Sequence, residues 1–143
     1  MPSGDVQICI DEAYAFLAIS KERIDQTDMV GLSSMLYPVV VNAAFSCELS
    51  LKAIMMMRSS NNEFGLGHRL KADLYPQLSA HDRDEIEKRA NASLAMAFDD
   101  ALTEFDNAFV DWRYAFEKGV SIHYLELGKF AELLLGYAKE LAA

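Results

Sequence analysis

Between Gln77 and Lys118 the chain has neither glycine nor proline, and its apolar residues step by three or four: Leu94, Phe98, Ala101, Phe105, Phe109, Trp112 and Phe116. That period places the apolar side chains on one face of a helix and would scatter them over both faces of a strand. Breakers are scarce throughout, with three Pro and seven Gly in 143 residues. Long helices are therefore expected, rather than many short strands joined by turns.

The rest of the chain repeats the pattern. Ile10, Ala13, Tyr14, Leu17 and Ile24 form one stripe, which predicts a first helix over 5–25. Thr27 or Asp28 could cap the next element. A second helix is expected from Leu36–Pro38, since proline is tolerated in a first turn, to about Met57. Val39, Val40, Ala43, Ala44, Phe45, Cys47, Leu49, Leu51, Ile54 and Met55 make it apolar almost all round, as in a central helix or one covered by an oligomeric partner. Core or dimer packing is the plainer role for Met55–Met57. Ser59–Asn62, Gly65 and Gly67 end this helix in a loop.

A third helix is expected over 82–96 and a fourth over 99–117, with a break where Asp99 and Asp100 could cap a new start and with Gly119 closing the fourth. Leu127, Phe130, Leu134, Tyr137 and Leu141 then form a narrow seam on a last helix over 122–141. The expected fold is all-α: a single-domain, up-and-down antiparallel bundle of about five helices.

An apolar content of 52% supplies a core without disulfide or metal staples. Cys9 and Cys47 stand far apart in apolar stretches and read as buried free thiols, consistent with a reducing cytoplasm. The N-terminus lacks a basic segment followed by an apolar run, so no signal peptide is expected. Met35–Met57 contains Glu48 and Lys52, which argues against a membrane span. A net charge of −9 disfavours non-specific binding of duplex DNA. The one stretch with a positive excess runs from Lys52 through Arg58 and His68 to Arg69 and Lys71.

No catalytic constellation stands out. His68, His81 and His123 lack metal-ligand spacing, so neither a metal site nor a cofactor is expected. His81 has Asp84 and Glu85 one turn on, and His123 has Glu126. Asp99, Asp100 and Glu104 read as a cap with a solvated face. Gly65-Leu-Gly67 is too short for a phosphate loop, and Ser46 has no adjacent base.

Charges within apolar helices are more informative, because an unpaired buried charge is costly. Glu48 and Lys52 are four apart, in the favourable orientation for a pair. His68 and Arg69 follow a glycine. Arg113 lies between Trp112 and Tyr114, with Glu117 one turn on. These residues form either an internal ion-pair network, for example Arg113 with Glu48 or Glu117, or a polar pocket between the second and fourth helices. In the pocket, Arg113 and His68 would hold a phosphate or nucleotide.

Ala43-Ala-Phe-Ser-Cys-Glu-Leu-Ser-Leu-Lys52-Ala-Ile, then Gly67-His-Arg-Leu70, then Phe109-Val-Asp-Trp-Arg-Tyr-Ala-Phe-Glu117 together resemble the HEPN superfamily, the higher eukaryote and prokaryote nucleotide-binding domain. The elements carrying these stretches span about half the chain. The resemblance implies a four- or five-helix bundle, commonly a homodimer. It also implies a role in RNA cleavage, nucleotide binding, toxin–antitoxin systems or phage defence. Catalytic members carry an Arg, then a polar residue, then a His a few positions on. Here Tyr114 follows Arg113 and the next histidine is His123, with Gly119 between. The chain resembles a non-catalytic or divergent member, with no catalytic residue assigned. The expected ligand-binding residues are Glu48, Lys52, His68, Arg69, Arg113 and Tyr114, and the expected partners are a nucleotide, an RNA or a protein. The alternatives are a ribonuclease using Arg113 with His68 or His123, and a purely structural adaptor.

Overall fold

The computed structural model describes residues 4–26, 32–59, 67–106, 108 and 123–143, with backbone alone for 23–26 and 32–37. Its elements are α1 (Gly4–Gln26), α2 (Leu32–Arg58), a π-helical turn (Leu70–Leu74), a 3-10 turn (Tyr75–Gln77), α3 (Ala80–Ser93), α4 (Phe98–Phe105) and α5 (Tyr124–Ala142). No strand occurs among the described residues. The fold is an all-α bundle.

Helices α1, α2 and α5 pack against one another and hold most of the core. Two hydroxyls fix how α1 lies on α2. Ser20 Oγ donates to the Val39 carbonyl and Ser46 Oγ to the Ala13 carbonyl, each at 2.7 Å. As the residue number rises on one helix it falls on the other, so the two are antiparallel. Helix α1 is also antiparallel to α5, since Gln7 lies near Ala143 and Lys21 pairs with Glu132. Small residues at the α1–α2 contact, Ala13, Ala43 and Ser46, let the backbones approach closely enough for these bonds.

Helix α2 begins at Leu32, earlier than expected, and Pro38 lies inside it rather than in its first turn. A proline lacks one ladder hydrogen bond, and the burial of Val39, Val40 and Ala43 immediately after it holds the helix through that point. The Asn42 side chain adds a donor to the Pro38 carbonyl at 2.6 Å. Between Pro38 and Arg58 the helix is long and apolar enough to cross a membrane, but it is mostly buried within the bundle. Met55 and Met56 are core residues. Cys47 is buried and Cys9 half-buried, both as free thiols.

Ser79 caps α3, accepting from the Asp82 amide at 3.2 Å. The expected break before α4 is present, but Asp99 and Asp100 lie in its first turn and no side chain caps it. They act there through the helix dipole. Phe98 and Phe105 dock α4 onto Phe130 of α5, with ring centroids 6.2 and 6.0 Å apart. Each such buried ring contributes about 1.5–3 kcal/mol. The seam on α5 is buried from Leu127 to Tyr137. One expectation fails on α1: Tyr14 is 57% exposed rather than part of the core stripe. Ile10, Ala13 and Leu17 fill that stripe, and Tyr14 sits beside it. The expected cap at Thr27 or Asp28, most of the Ser59–Gly65 loop, and Phe109 through Gly119 lie outside the described residues.

Candidate functional site

Glu48 projects from the middle of α2, the most apolar of the described helices, and is only 3% exposed. Lys52, one turn on, donates from Nζ to Glu48 Oε1 at 3.1 Å. His68 approaches the same oxygen through Nδ1. A carboxylate only accepts, so Nδ1 carries the hydrogen in this contact. The Lys52 side chain is mostly buried, whereas that of His68 is 59% exposed. The three form a polar spot that starts in the core and ends at the surface.

The backbone around His68 explains how it reaches Glu48. Gly67 has φ +101°, a region that L side chains rarely adopt. A Cβ on Gly67 would lie 2.6 Å from the Asp73 side chain. Asp73 Oδ2 in turn accepts from the Arg69 amide at 3.2 Å. Leu70 and Leu74 are buried and root the following turn in the core.

Asp106, at the end of α4, fastens this segment from the other side. Its Oδ1 accepts from the amides of Lys71 and Ala72, each at 2.8 Å, and its Oδ2 accepts from Arg69 Nη2 at 2.5 Å. Its carbonyl also accepts from the Leu70 amide at 3.1 Å. One carboxylate therefore satisfies two first-turn amides and a guanidinium. Lys71 Nζ extends onto α4, donating to Thr103 Oγ1 at 2.7 Å and pairing with Asp99 at 3.2 Å.

Of the residues expected to bind a ligand, Glu48, Lys52 and His68 come together. Arg69 does not join them through its guanidinium, which goes to Asp106. Arg113 and Tyr114 lie outside the described residues, as does Glu117. His123 pairs with Glu104, not with Glu126: Nδ1 to Oε1 is 2.7 Å, and the His123 amide donates to Oε2 at 3.0 Å. Glu126 instead accepts from the Ala95 amide at 3.0 Å. Among the described residues, no three His, Cys, Asp or Glu side chains are grouped as a metal site would need.

Asp82 is a second buried carboxylate, one that the sequence pattern did not single out. It accepts from Arg58 Nε at 3.0 Å, Arg58 Nη2 at 2.8 Å, Tyr137 Oη at 2.6 Å and Ser79 Oγ at 2.9 Å. Burial alone would raise its pKa, but the hydrogen bonds from Arg58, Tyr137 and Ser79 outweigh burial and hold it below the ordinary carboxylate range. The same bonding raises Arg58. Tyr137 is raised by burial and by its bond to Asp82. This cluster ties α2, α3 and α5 together. Its only sequence signal was the Ser79-x-x-Asp82 spacing typical of a helix start.

Comparison of the chain with protein families, curated proteins and solved structures finds no match.

Proposed function

We propose that this chain is a non-catalytic, HEPN-like helical module that works as a homodimer and binds a nucleotide, an RNA or a protein partner at the Glu48–Lys52–His68 spot. One observation carries this reading. A buried carboxylate on an apolar helix holds an imidazole whose ring lies at the surface. Burial alone does not make this case, since Asp82 is as deeply buried. But Asp82 is closed by four hydrogen bonds over both oxygens, whereas the described donors to Glu48 (Lys52 and this imidazole) meet at one. The arrangement fixes the orientation of His68 and leaves the ring 59% exposed. A phosphate would gain Arg69 or Lys71 only by competing with Asp106 or Asp99. Such a site is selective, and its affinity is sensitive to salt.

Calorimetric titration of the purified protein with a nucleoside triphosphate and with a short single-stranded RNA tests the reading. Binding that is lost in both His68→Ala and Glu48→Gln, with the fold intact by circular dichroism, is the expected result. No heat with either ligand, together with a monomer by sedimentation, refutes it.

The same geometry supports a second reading, a divergent ribonuclease. An imidazole held at Nδ1 by a carboxylate is the usual arrangement of a general acid–base. RNA cleavage by the wild type that disappears in both His68→Ala and Arg113→Ala would establish this reading in place of the first. A complete absence of cleavage removes it.

A further inference from the structure

The outward face of α1 carries apolar side chains where a surface helix ordinarily presents polar ones. Ile8 is 56% exposed and Ile19 41%, and Ala15 between them is exposed as well. At helical spacing the three fall within about 40° of one another. They lie directly opposite the buried stripe of Ile10, Ala13 and Leu17. Tyr14 is not part of this strip: at helical spacing it lies about 100° round α1 from Ala15, beside the buried stripe and toward α5, where the Lys139 ammonium is 4.6 Å from its ring centre.

The rim of the strip is acidic. Asp5, Asp11 and Glu12 are all exposed. The one basic residue between Gly4 and Glu22 is Lys21, and it is already paired with Glu132 of α5. This charge pattern selects the occupant. A second copy laid face to face would set these acids against their own equivalents, and like charges across an interface are unfavourable. A nucleic acid backbone is repelled for the same reason. A helix with one apolar face flanked by Lys and Arg matches both the strip and its rim.

We propose that this outward strip of α1, with its acidic rim, is a docking surface for a basic amphipathic helix of a partner protein. Apolar side chains of that helix cover Ile8, Ala15 and Ile19, and its cations meet Asp5, Asp11 and Glu12. None of these residues belongs to the Glu48 site, so this inference does not rest on the function proposed above.

The test uses the full chain and two synthetic amphipathic helices of identical pattern, one of leucine and lysine and one of leucine and glutamate, compared by calorimetry. The lysine peptide should bind at least about tenfold more tightly than the glutamate peptide. The double variant Ile8→Ser/Ile19→Ser should lower its affinity by about tenfold or more. Asp11→Lys/Glu12→Lys should weaken binding and flatten its salt dependence. Ala15→Glu adds an attractive charge but obstructs the strip, so a loss of affinity in this variant separates docking from general attraction to an acidic protein. His68→Ala should bind the lysine peptide as the wild type does. The proposal is overturned if the two peptides bind equally or if the lysine peptide retains full affinity for Ala15→Glu and Ile8→Ser/Ile19→Ser. It is also overturned if sedimentation shows a wild-type oligomer that Ile8→Ser/Ile19→Ser dissociates, because the occupant is then a second copy.

Discussion

Asp82 and Glu48 are carboxylates at nearly the same depth in one bundle, and their surroundings differ in kind. Both oxygens of Asp82 are engaged, Oδ1 by Arg58 and Tyr137 and Oδ2 by Arg58 and Ser79. Its donors come from α2, from α5 and from the cap of α3. The described partners of Glu48 converge on one oxygen, Oε1, and one of them is a histidine that reaches the surface. A saturated carboxylate joining three elements is the form expected of a structural tie. A carboxylate whose described donors meet at one oxygen, one of them a surface imidazole, is the form expected where something outside the chain is met. Burial alone does not separate these roles. Nor does the exposure of a partner by itself, since the Arg58 side chain is 43% exposed. The number of donors and how they share the two oxygens do.

The sharpest break in this comparison is Asp82→Ala. It leaves Arg58 and Tyr137 without their acceptor and should cost about 3–5 kcal/mol by chemical denaturation. Acid should show the same tie. The Asp82 carboxyl is held low in the folded state, so its contribution is complete above the unfolded-state value and disappears as pH falls through the folded-state value. The wild type should therefore lose stability on acidification below about pH 4. Asp82→Asn, already less stable at neutral pH, should show a shallower loss.

Glu48→Gln keeps the shape and an acceptor, so a cost of about 1–3 kcal/mol is expected, smaller than at Asp82. A larger loss than that of Asp82→Ala would reverse the assignment of roles. Gly67→Ala acts on the Glu48 cluster without touching Glu48. The positive φ and the Asp73 side chain oppose a Cβ, and the expected cost is about 1–3 kcal/mol. In this variant the imidazole resonances of His68 should shift in NMR spectra, while the Tyr137 signals stay in place.

Ser50 supplies the smallest effect and a limiting case. Its hydroxyl is buried on α2 with no hydrogen-bond partner among the described residues. Ser50→Ala should leave stability unchanged or raise it by about 1 kcal/mol. A clear loss of stability in thermal melts would mean that the hydroxyl has an acceptor.

The long helices were legible because periodicity and scarce breakers agree over many residues. That agreement located α1, α2 and α5 to within a few residues, apart from the early start of α2. There Pro38 marked a helix start by its usual preference, and tertiary packing carried the helix through it. The turns at Leu70–Gln77 are too short to show a period, so nothing in the pattern announced them. Asp106 was missed for a related reason. Its partners are backbone amides, which exist as a site only once those turns have formed. Arg69 was named a ligand-binding candidate from its neighbours in sequence, and its pairing with Asp106, just past α4, could not be read there because the two are far apart in the chain. The Glu48–Lys52 pair was readable because both residues share one helix. Its completion by His68 was not, because that depends on a glycine conformation and on an anchor from another element.

The long reach of Asp106 has a consequence for the order in which the protein is made. Synthesis runs from the N-terminus, so Glu48, Lys52 and His68 are added to the chain before residue 106 exists. Until then the amides of Lys71 and Ala72 have only water to bond, and the chain that carries His68 lacks its fastening. The Glu48–His68 contact therefore belongs among the last parts of the molecule to mature, after α4 has been synthesised and packed against α5. A nascent chain halted before α4 would contain all three residues of the polar spot and still lack the anchor that holds them together.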